Sequence, residues 1–302
     1  MPKKAELEDK QVYQMKQLRA AIDERIEQMK FIKFVPSLLF IFGSLILAYP
    51  YVATTYNESV QSKIVLKDTN AAKDLSDNQL TDEVEKVKQY DDNLVGQPLH
   101  DPFAQGAGYV TQSKEYQGVL NISGDGVMGS LEIPSIQLEL PIYHGVDNES
   151  ISKGVGHIPY TSTPYGGKGR HSFLSSHRGL PDAKLFTDLD QLKKGDFACI
   201  NVLNESHWYK VIKIEVIKPE EFVATRPDPD KDLLTLVTCT PLSVNTHRLL
   251  VTLERTSAPV NLDKLKISRK HSISTYYLWA FMAAHLILIA ALVNIIRILR
   301  KR

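Results

Sequence analysis

A cysteine and an arginine near the carboxyl end of the chain have the types and spacing of a nucleophile and its electrostatic partner. The stretch TLVTCTPLSVNTHR places Cys239 at the end of an apolar, β-branched run and Arg248 nine residues later, beyond a turn. Only a thiolate attacks, and a free thiol titrates near pH 8.5, so a reactive cysteine needs a basic partner. A guanidinium beside it can donate hydrogen bonds to a developing oxyanion. An arginine in a surface ion pair is the alternative interpretation of Arg248.

A disulfide is the alternative interpretation of the cysteine. The chain has two cysteines, so Cys199 to Cys239 is the one pairing available, and domains outside the cytoplasm usually pair their cysteines. Cys199 lies in the middle of the strand-like run FACINV, where a cysteine acts as a small buried hydrophobe. Cys239 lies at a strand end just before Pro241, where its side chain can face a cleft. These residues alone leave both interpretations open.

His177 is the best placed of the nine histidines to act as a base. It ends the apolar run HSFLSSH and is followed by Arg178 and Gly179, which indicates a turn at a strand edge, where catalytic groups are often found. The other histidines lie in polar, juxtamembrane or intramembrane stretches, or near turns where they serve as structural groups. His247 precedes Arg248, so in a strand their side chains point to opposite faces and only one can line a site.

Short β-rich runs predominate from about residue 115 onward. They read GSLEIPSI, LELPIYHG, RHSFLSSH, FACINVL, HWYKVIKIEVI, DLLTLVTC and HRLLVTLER. Turn-forming clusters separate them, so seven or eight strands are predicted, in an all-β barrel or sandwich with one helical interruption at 181–194. Residues 5–30 and 57–95 have helical patterns, and Ser76 with Gln79 resembles a capping box.

Two apolar stretches, 34–53 and 272–296, are each long enough to cross a bilayer as a helix. Residues 1–33 carry eight Lys and Arg against six Asp and Glu, and the tail after residue 296 carries four more basic residues. The positive-inside rule therefore predicts cytoplasmic termini and an extracytoplasmic segment 57–270. The two spans are expected to contact the membrane lipid. The chain has no basic stripe or nucleic-acid motif, so we expect no nucleic-acid partner.

The motifs together resemble the sortase family. TLVTC followed by a downstream arginine resembles the sortase signature, and SSHRGLP resembles the segment that carries the sortase histidine. LEIPSIQLELPIYHG, GVGHIPYTSTPYGG and AKLFTDLDQLKKGD resemble the rest of the family's core, so the resemblance covers about residues 115–256. One departure is Ser176, where glycine often precedes the histidine. The resemblance implies an eight-stranded β-barrel with short helices.

Two membrane spans and the motif HDPF resemble class C sortases, the pilin polymerases of Gram-positive bacteria. In that class an Asp-Pro-aromatic lid covers the active site, which corresponds here to Asp101, Pro102 and Phe103. The resemblance implies that Asp101 contacts Arg248 and that Phe103 lies against Cys239. The expected segments are a cytoplasmic N-terminal segment 1–33, a transmembrane helix 34–56, a helical and lid segment 57–114, the catalytic barrel 115–258, a juxtamembrane linker 259–271, a transmembrane helix 272–296 and a cytoplasmic tail 297–302.

The resemblance implies a cysteine transpeptidase that needs no cofactor and no metal. Cys239 attacks the Thr–Gly bond of an LPxTG-like sorting signal, His177 moves protons to and from amines, and Arg248 stabilises the oxyanion. The partner is a pilin subunit whose lysine amine accepts the acyl group. Two alternatives are a housekeeping sortase that uses a cell-wall peptidoglycan amine, and a non-enzymatic, membrane-anchored β-domain with a Cys199–Cys239 disulfide.

Overall fold

The computed structural model of the 302-residue chain describes residues 2–94, 101–104, 113–222, 227–260 and 275–300. The predicted lid loop is therefore described at 101–104. The predicted linker beyond residue 260, the first three residues of the predicted second span and the last two residues of the tail lie outside the described residues.

Within the described residues, five α-helices and eight strands make up the regular structure. The helices are α1 (Pro2–Lys73), α2 (Asp77–Asp92), α3 (Lys114–Gly118), α4 (Asn148–Lys153) and α5 (Thr275–Arg300). The strands are β1 (Val127–Ile133), β2 (Leu138–His144), β3 (Val155–His157), β4 (Arg170–Ser175), β5 (Phe197–Val202), β6 (Glu205–Ile217), β7 (Asp232–Thr240) and β8 (His247–Arg255). Short 3-10 helices span Pro134–Ile136, Leu185–Gln191 and Pro219–Glu221.

The eight strands close into a barrel in the order β1-β2-β3-β4-β7-β8-β6-β5. Pairs β2–β3 and β4–β7 are parallel, and the other neighbours are antiparallel. Alternate residues of the strands fill the interior with fully buried aliphatic side chains such as Leu131, Ile142, Leu174, Leu236 and Val251. The prediction of a mainly β, eight-stranded barrel is confirmed.

The helical interruption predicted at 181–194 is shorter and irregular in the structure. A 3-10 helix spans Leu185–Gln191, and Phe186 has φ −83° and ψ 24°, outside the helical range. Leu185 has a φ of +43°, and both side chains are buried in the barrel core. Burying these two neighbouring residues bends the backbone away from a regular helix.

Helices α2 and α3 fix the two ends of the segment that carries Asp101. Ser76 begins α2 with the predicted capping box to Gln79. At the other end of α2, the carboxylate of Asp91 accepts hydrogen bonds from the Thr163 backbone N–H at 2.8 Å and its hydroxyl at 3.1 Å. Buried carboxylates need such donors, so the end of α2 is held against the barrel.

Helix α3 is held in the same way through its one buried side chain, Tyr116. The Tyr116 hydroxyl lies 2.8 Å from Nδ1 of His157 and accepts a 3.0 Å hydrogen bond from the backbone N–H of Gly145. The segment that contains the predicted lid is therefore anchored to the barrel at both ends.

The chain divides into two units by its internal contacts, Met1–Tyr51 with Ile273–Arg302, and Val52–Ser272, which holds the barrel. Phe34–Lys73 and Trp279–Ile298 are long and apolar enough to cross a membrane, and 11% of the apolar window of each is buried. These two apolar helices suggest membrane anchoring. In the first unit, Asn294 Nδ2 donates a 2.9 Å hydrogen bond to Ser37 Oγ.

Candidate active site

Cys239 and Arg248 lie opposite each other on two hydrogen-bonded strands. β7 and β8 are antiparallel, and their register pairs Cys239 with Arg248 and Thr240 with His247. Directly opposed residues in such a pair place their side chains on the same face. Cys239 is half-buried and Arg248 is buried. The connection at 241–246 thus joins neighbouring strands, and the two side chains that the sequence singles out are cross-strand neighbours.

His177 lies at the same edge of the barrel, in the loop that follows β4. β4 and β7 are parallel, and Ser175, the last residue of β4, is in register with Val237. His177 lies two residues beyond Ser175, and Cys239 lies two residues beyond Val237. The histidine therefore follows the strand and does not end it as the sequence predicted, and the parallel pairing still brings its loop to the end of β7 that carries the cysteine.

Ser176 holds the backbone immediately before His177 from two sides. Its side chain is fully buried, and its hydroxyl donates to the carbonyl of Gly154 at 2.6 Å, with the carbonyl of Ile151 at 3.3 Å as a second acceptor. Its own carbonyl accepts a 2.8 Å hydrogen bond from Thr238 Oγ1. The serine that stands where the family often has glycine is thus accommodated with its hydroxyl satisfied.

Asp101 forms a paired hydrogen-bonded ion pair with Arg248. Nε of Arg248 donates to Oδ1 of Asp101 at 2.8 Å, and Nη2 donates to Oδ2 at 2.7 Å. Both side chains are 8% exposed, and the third guanidinium nitrogen, Nη1, donates to the carbonyls of Asn245 and His247 at 3.0 Å each. Paired, desolvated contacts of this kind are among the stronger polar interactions in proteins.

Phe103 lies beside the other two predicted site residues. Its ring centroid is 5.8 Å from that of His177, and the guanidinium carbon of Arg248 lies 5.2 Å from the same ring centroid. Pro102 is buried. Phe103 also packs on an apolar cluster that includes Val237. Asp101 and Phe103 therefore lie beside Arg248 and the His177 loop.

Burial shifts the pKa of the thiol and that of the imidazole in the directions that favour their neutral forms. It raises the pKa of Cys239, and Asp101 raises it further, against the lowering effect of Arg248 and Arg178. It also lowers the pKa of His177. Burial alone would lower the pKa of Arg248, but the hydrogen bonds and negative charge of Asp101 raise it above its ordinary value. These directions favour a thiol, an uncharged imidazole and a guanidinium whose charge Asp101 compensates.

Arg178 is a polar residue of this region that the sequence indicated only as a marker of a turn. Its Nη1 lies 3.5 Å from both the carbonyl of Cys239 and the hydroxyl of Thr240. Its position directly after His177 was the available signal, but only the fold shows that its side chain reaches the end of β7.

No disulfide joins Cys199 and Cys239. They lie on β5 and β7, which are not neighbours in the barrel. Cys199 is buried in the middle of its strand with 1% of its surface exposed, as the packing interpretation predicted. The disulfide-bonded alternative therefore does not describe this fold.

Comparison with known proteins identifies the family. The family model described as the Sortase domain matches residues 131–256. Sortase A of Streptococcus agalactiae serotype III (strain NEM316) is 31% identical over 128 residues, which are 41% of this chain and 51% of that protein. The chain thus spans about half the length of this curated relative.

Among solved structures, the similarity extends over nearly the full length of the matched chains. Sortase C-1 from Actinomyces oris is 43% identical with a TM-score of 0.56, covering 59% of this chain and 99% of that chain. The Group B Streptococcus Pilus Island 1 sortase C2 is 37% identical with a TM-score of 0.55, covering 61% of this chain and 100% of that chain. Because an identity of this size extends over nearly the whole of solved sortases C, this chain belongs to the sortase family.

Proposed function

We propose that this protein is a membrane-anchored cysteine transpeptidase that polymerises pilin subunits. It cleaves an LPxTG-like sorting signal between Thr and Gly and joins the new carboxyl end to a lysine amine of another subunit. The observation that carries the proposal is the pairing of Cys239 with Arg248 beside the His177 loop, beneath residues 101–103. Similarity to sortases C, one of them from a pilus island, supports pilin as the substrate class.

The first half of the reaction forms a thioester. The Cys239 thiol gives its proton to the neutral imidazole of His177, and the sulphur attacks the carbonyl carbon of the threonine. Arg248 donates hydrogen bonds to the oxyanion that develops on the carbonyl oxygen. His177 then passes the proton to the glycine nitrogen, the C–N bond breaks, and the glycine peptide leaves as a free amine.

The second half transfers the acyl group. A lysine amine of the next pilin attacks the thioester carbon, and His177 takes the proton that this amine loses. The C–S bond breaks, the proton returns to the sulphur, and an isopeptide bond remains between the two subunits. Splitting one amide exchange into two acyl transfers lets the same three side chains serve both steps.

Residues 101–103 act as a lid that must move before this reaction starts. In the closed arrangement Asp101 occupies the donors of Arg248 that the oxyanion needs. Opening therefore releases the guanidinium for the substrate and removes the carboxylate that raises the pKa of Cys239. Only open molecules bind substrate. The apparent affinity for the sorting signal is therefore the intrinsic affinity multiplied by the fraction of molecules that are open.

The same charge pattern that predicts the topology supports an extracytoplasmic catalytic domain. We propose that both termini lie in the cytoplasm and that the segment 57–270 lies outside, since the basic residues cluster in 1–33 and 297–302. Protease added to intact protoplasts should then digest the barrel and spare an epitope fused to either terminus. Loss of a terminal epitope under these conditions contradicts the assignment.

Incubation of the full-length protein with a purified pilin tests the function. We expect a ladder of covalent pilin polymers that survives boiling in detergent, together with the released glycine peptide. Attachment of the pilin only to a peptidoglycan amine, without a ladder, would instead assign the alternative role of a housekeeping sortase. A pilin without its sorting signal is the matched negative control.

Replacing Arg248 by lysine should have opposite effects on two reactions. Lysine keeps the charge but cannot reproduce the planar fork that contacts Asp101, so sorting-peptide cleavage should fall about 10²- to 10³-fold. Alkylation of Cys239 should become faster, because the lid loses its paired anchor. Arg255→Lys, at the other end of β8 and paired with Asp232, is the control and should change neither rate more than about twofold. Parental cleavage by Arg248→Lys contradicts the oxyanion role.

A further inference from the structure

Arg178 is buried between the His177 loop and the end of β7. Its side chain is 3% exposed. Its Nη2 donates to the Asp190 carboxylate at 2.7 Å and to the Thr187 carbonyl at 3.0 Å, both in the 3-10 helix Leu185–Gln191. Its Nη1 points to the Cys239 carbonyl and the Thr240 hydroxyl at 3.5 Å. One guanidinium therefore touches the strand that carries the nucleophile and the helix that follows the histidine.

The turn at residues 177–179 is also held by contacts that do not involve the guanidinium. The N–H of Gly179 donates to Thr187 Oγ1 at 2.9 Å. Gly179 has a φ of +74°, and a Cβ at this position would lie 2.6 Å from a methyl carbon of Leu242. The turn is thus in close contact with the loop after β7, and the Arg178 side chain adds a tie from the same turn to the end of β7 itself.

The charge of Arg178 persists near Cys239 while the lid is closed. Arg248 is compensated by Asp101, which is buried with it. The partner of Arg178 is Asp190, whose side chain is 52% exposed, so solvent screens its negative charge. Arg178 therefore supplies positive potential to the thiol that the closed lid does not cancel.

Packing alone does not account for an arginine here. Nε of Arg178 is buried and has no hydrogen-bond partner among the residues that the structure describes. Leaving a buried donor unpaired costs about 1–3 kcal/mol, so such groups mark positions that are constrained by something besides stability. In this fold, the guanidinium of Arg178 contacts the end of β7 at Cys239 and Thr240. This contact is the constraint that we infer.

We propose that Arg178 is a positioning residue, which fixes the His177 turn against the carboxyl end of β7 and keeps a positive charge beside the Cys239 sulphur. The inference rests on the proposed function for what the thiol–imidazole pair does. Its first test needs no substrate, so the inference about Arg178 and the proposed function can fail separately.

The test is the pH dependence of Cys239 alkylation by iodoacetamide, measured by peptide mass spectrometry on the full-length protein in detergent. Arg178→Met loses both the positive charge and the guanidinium hydrogen-bond donors. The midpoint of its alkylation profile should therefore move up by about 0.5–1 pH unit. In Arg178→Lys, which keeps the charge, it should move less. Arg170→Met is the matched control, because Arg170 joins the other end of β4 to Asp91 and Asp92 of α2. Its midpoint should equal the parent's, although its melting temperature falls.

A parental midpoint in folded Arg178→Met, or an equal shift in Arg170→Met, overturns the inference. If Arg178→Met does not fold, Arg178→Lys decides through kinetics: kcat for peptide cleavage should fall about 10- to 100-fold, because the pair is misplaced, with KM within about twofold. A parental kcat in that variant also overturns the inference. If the parent cleaves no sorting peptide, the proposed function fails, and the alkylation profiles still decide the role of Arg178.

Discussion

Replacing Cys239 by alanine is expected to abolish pilin polymerisation, a loss of at least about 10³-fold. Alanine removes the sulphur that forms the thioester, and neither His177 nor Arg248 can replace it as a nucleophile. Cys239 is half-buried at a strand end, so its loss should leave the melting temperature within a few degrees of the parent's. Polymer yield on denaturing gels measures the effect.

Cys199→Ala is the matched control for that variant. Cys199 is the other cysteine of the chain and is buried on β5, away from the β7–β8 edge. Its truncation creates a small cavity and should cost about 1 kcal/mol of stability, with polymerisation unchanged. Polymer formation by Cys239→Ala, or its loss in a folded Cys199→Ala, would mean that the wrong thiol has been assigned.

Replacing both Asp101 and Phe103 by alanine is expected to speed alkylation of Cys239 about 10- to 100-fold. The charged hydrogen bonds between Asp101 and Arg248 contribute about 1.5–3 kcal/mol, and their loss raises the population of open sites by a factor of that order. Asp101 and Arg248 are each 8% exposed in the closed pair, so solvent does little to weaken that contact. Alkylation by a small thiol reagent, followed by mass spectrometry, measures the rate.

The lid variant should also respond differently to pH. Burial and the charge of Asp101 both raise the pKa of the Cys239 thiol, and the variant removes that charge together with any burial that the two side chains provide. The thiolate then forms at a lower pH, so the midpoint of the alkylation profile should move down relative to the parent. Below both midpoints each rate should still rise about tenfold per pH unit.

Asp92→Ala is the control for the lid variant, since Asp92 also pairs with an arginine, Arg170, but at the end of α2. It should leave the alkylation rate within about twofold of the parent's. Equal labelling of the Asp101/Phe103 variant and the parent would rule out an autoinhibitory lid. The two single variants show whether the carboxylate and the ring act together, because contacting residues deviate from additivity.

The strand pattern of the sequence predicts most of the barrel. Seven β-rich runs correspond to strands β1, β2 and β4 to β8, and the connection of residues 241–246 places Cys239 opposite Arg248. Strand β3 is absent from that set of runs because three residues, Val155–His157, are too few to show an alternating pattern. The parallel pairing of β4 with β7 cannot be predicted from the sequence pattern either, since periodicity does not reveal which strands are neighbours.

The site is predicted less completely from the residues alone. Spacing identifies His177, Cys239 and Arg248 as candidates, but leaves a disulfide as an alternative until family resemblance is added. Resemblance also supplies the lid, because nothing local in HDPF indicates that Asp101 reaches Arg248, 147 residues away along the chain. The contacts of Arg178 depend on the position of the 3-10 helix at Leu185–Gln191, which tertiary packing determines and no local pattern predicts.

Mass spectrometry of the enzyme trapped with a sorting peptide shows directly whether Cys239 is the nucleophile. The full-length protein is incubated with an LPxTG-like peptide without an acceptor amine and is quenched in acid, which preserves a thioester. We expect an acyl group that ends at the peptide's threonine, attached to Cys239, with release of the glycine fragment. An adduct on Cys199, or an enzyme that carries no acyl group while the peptide remains intact, would contradict it.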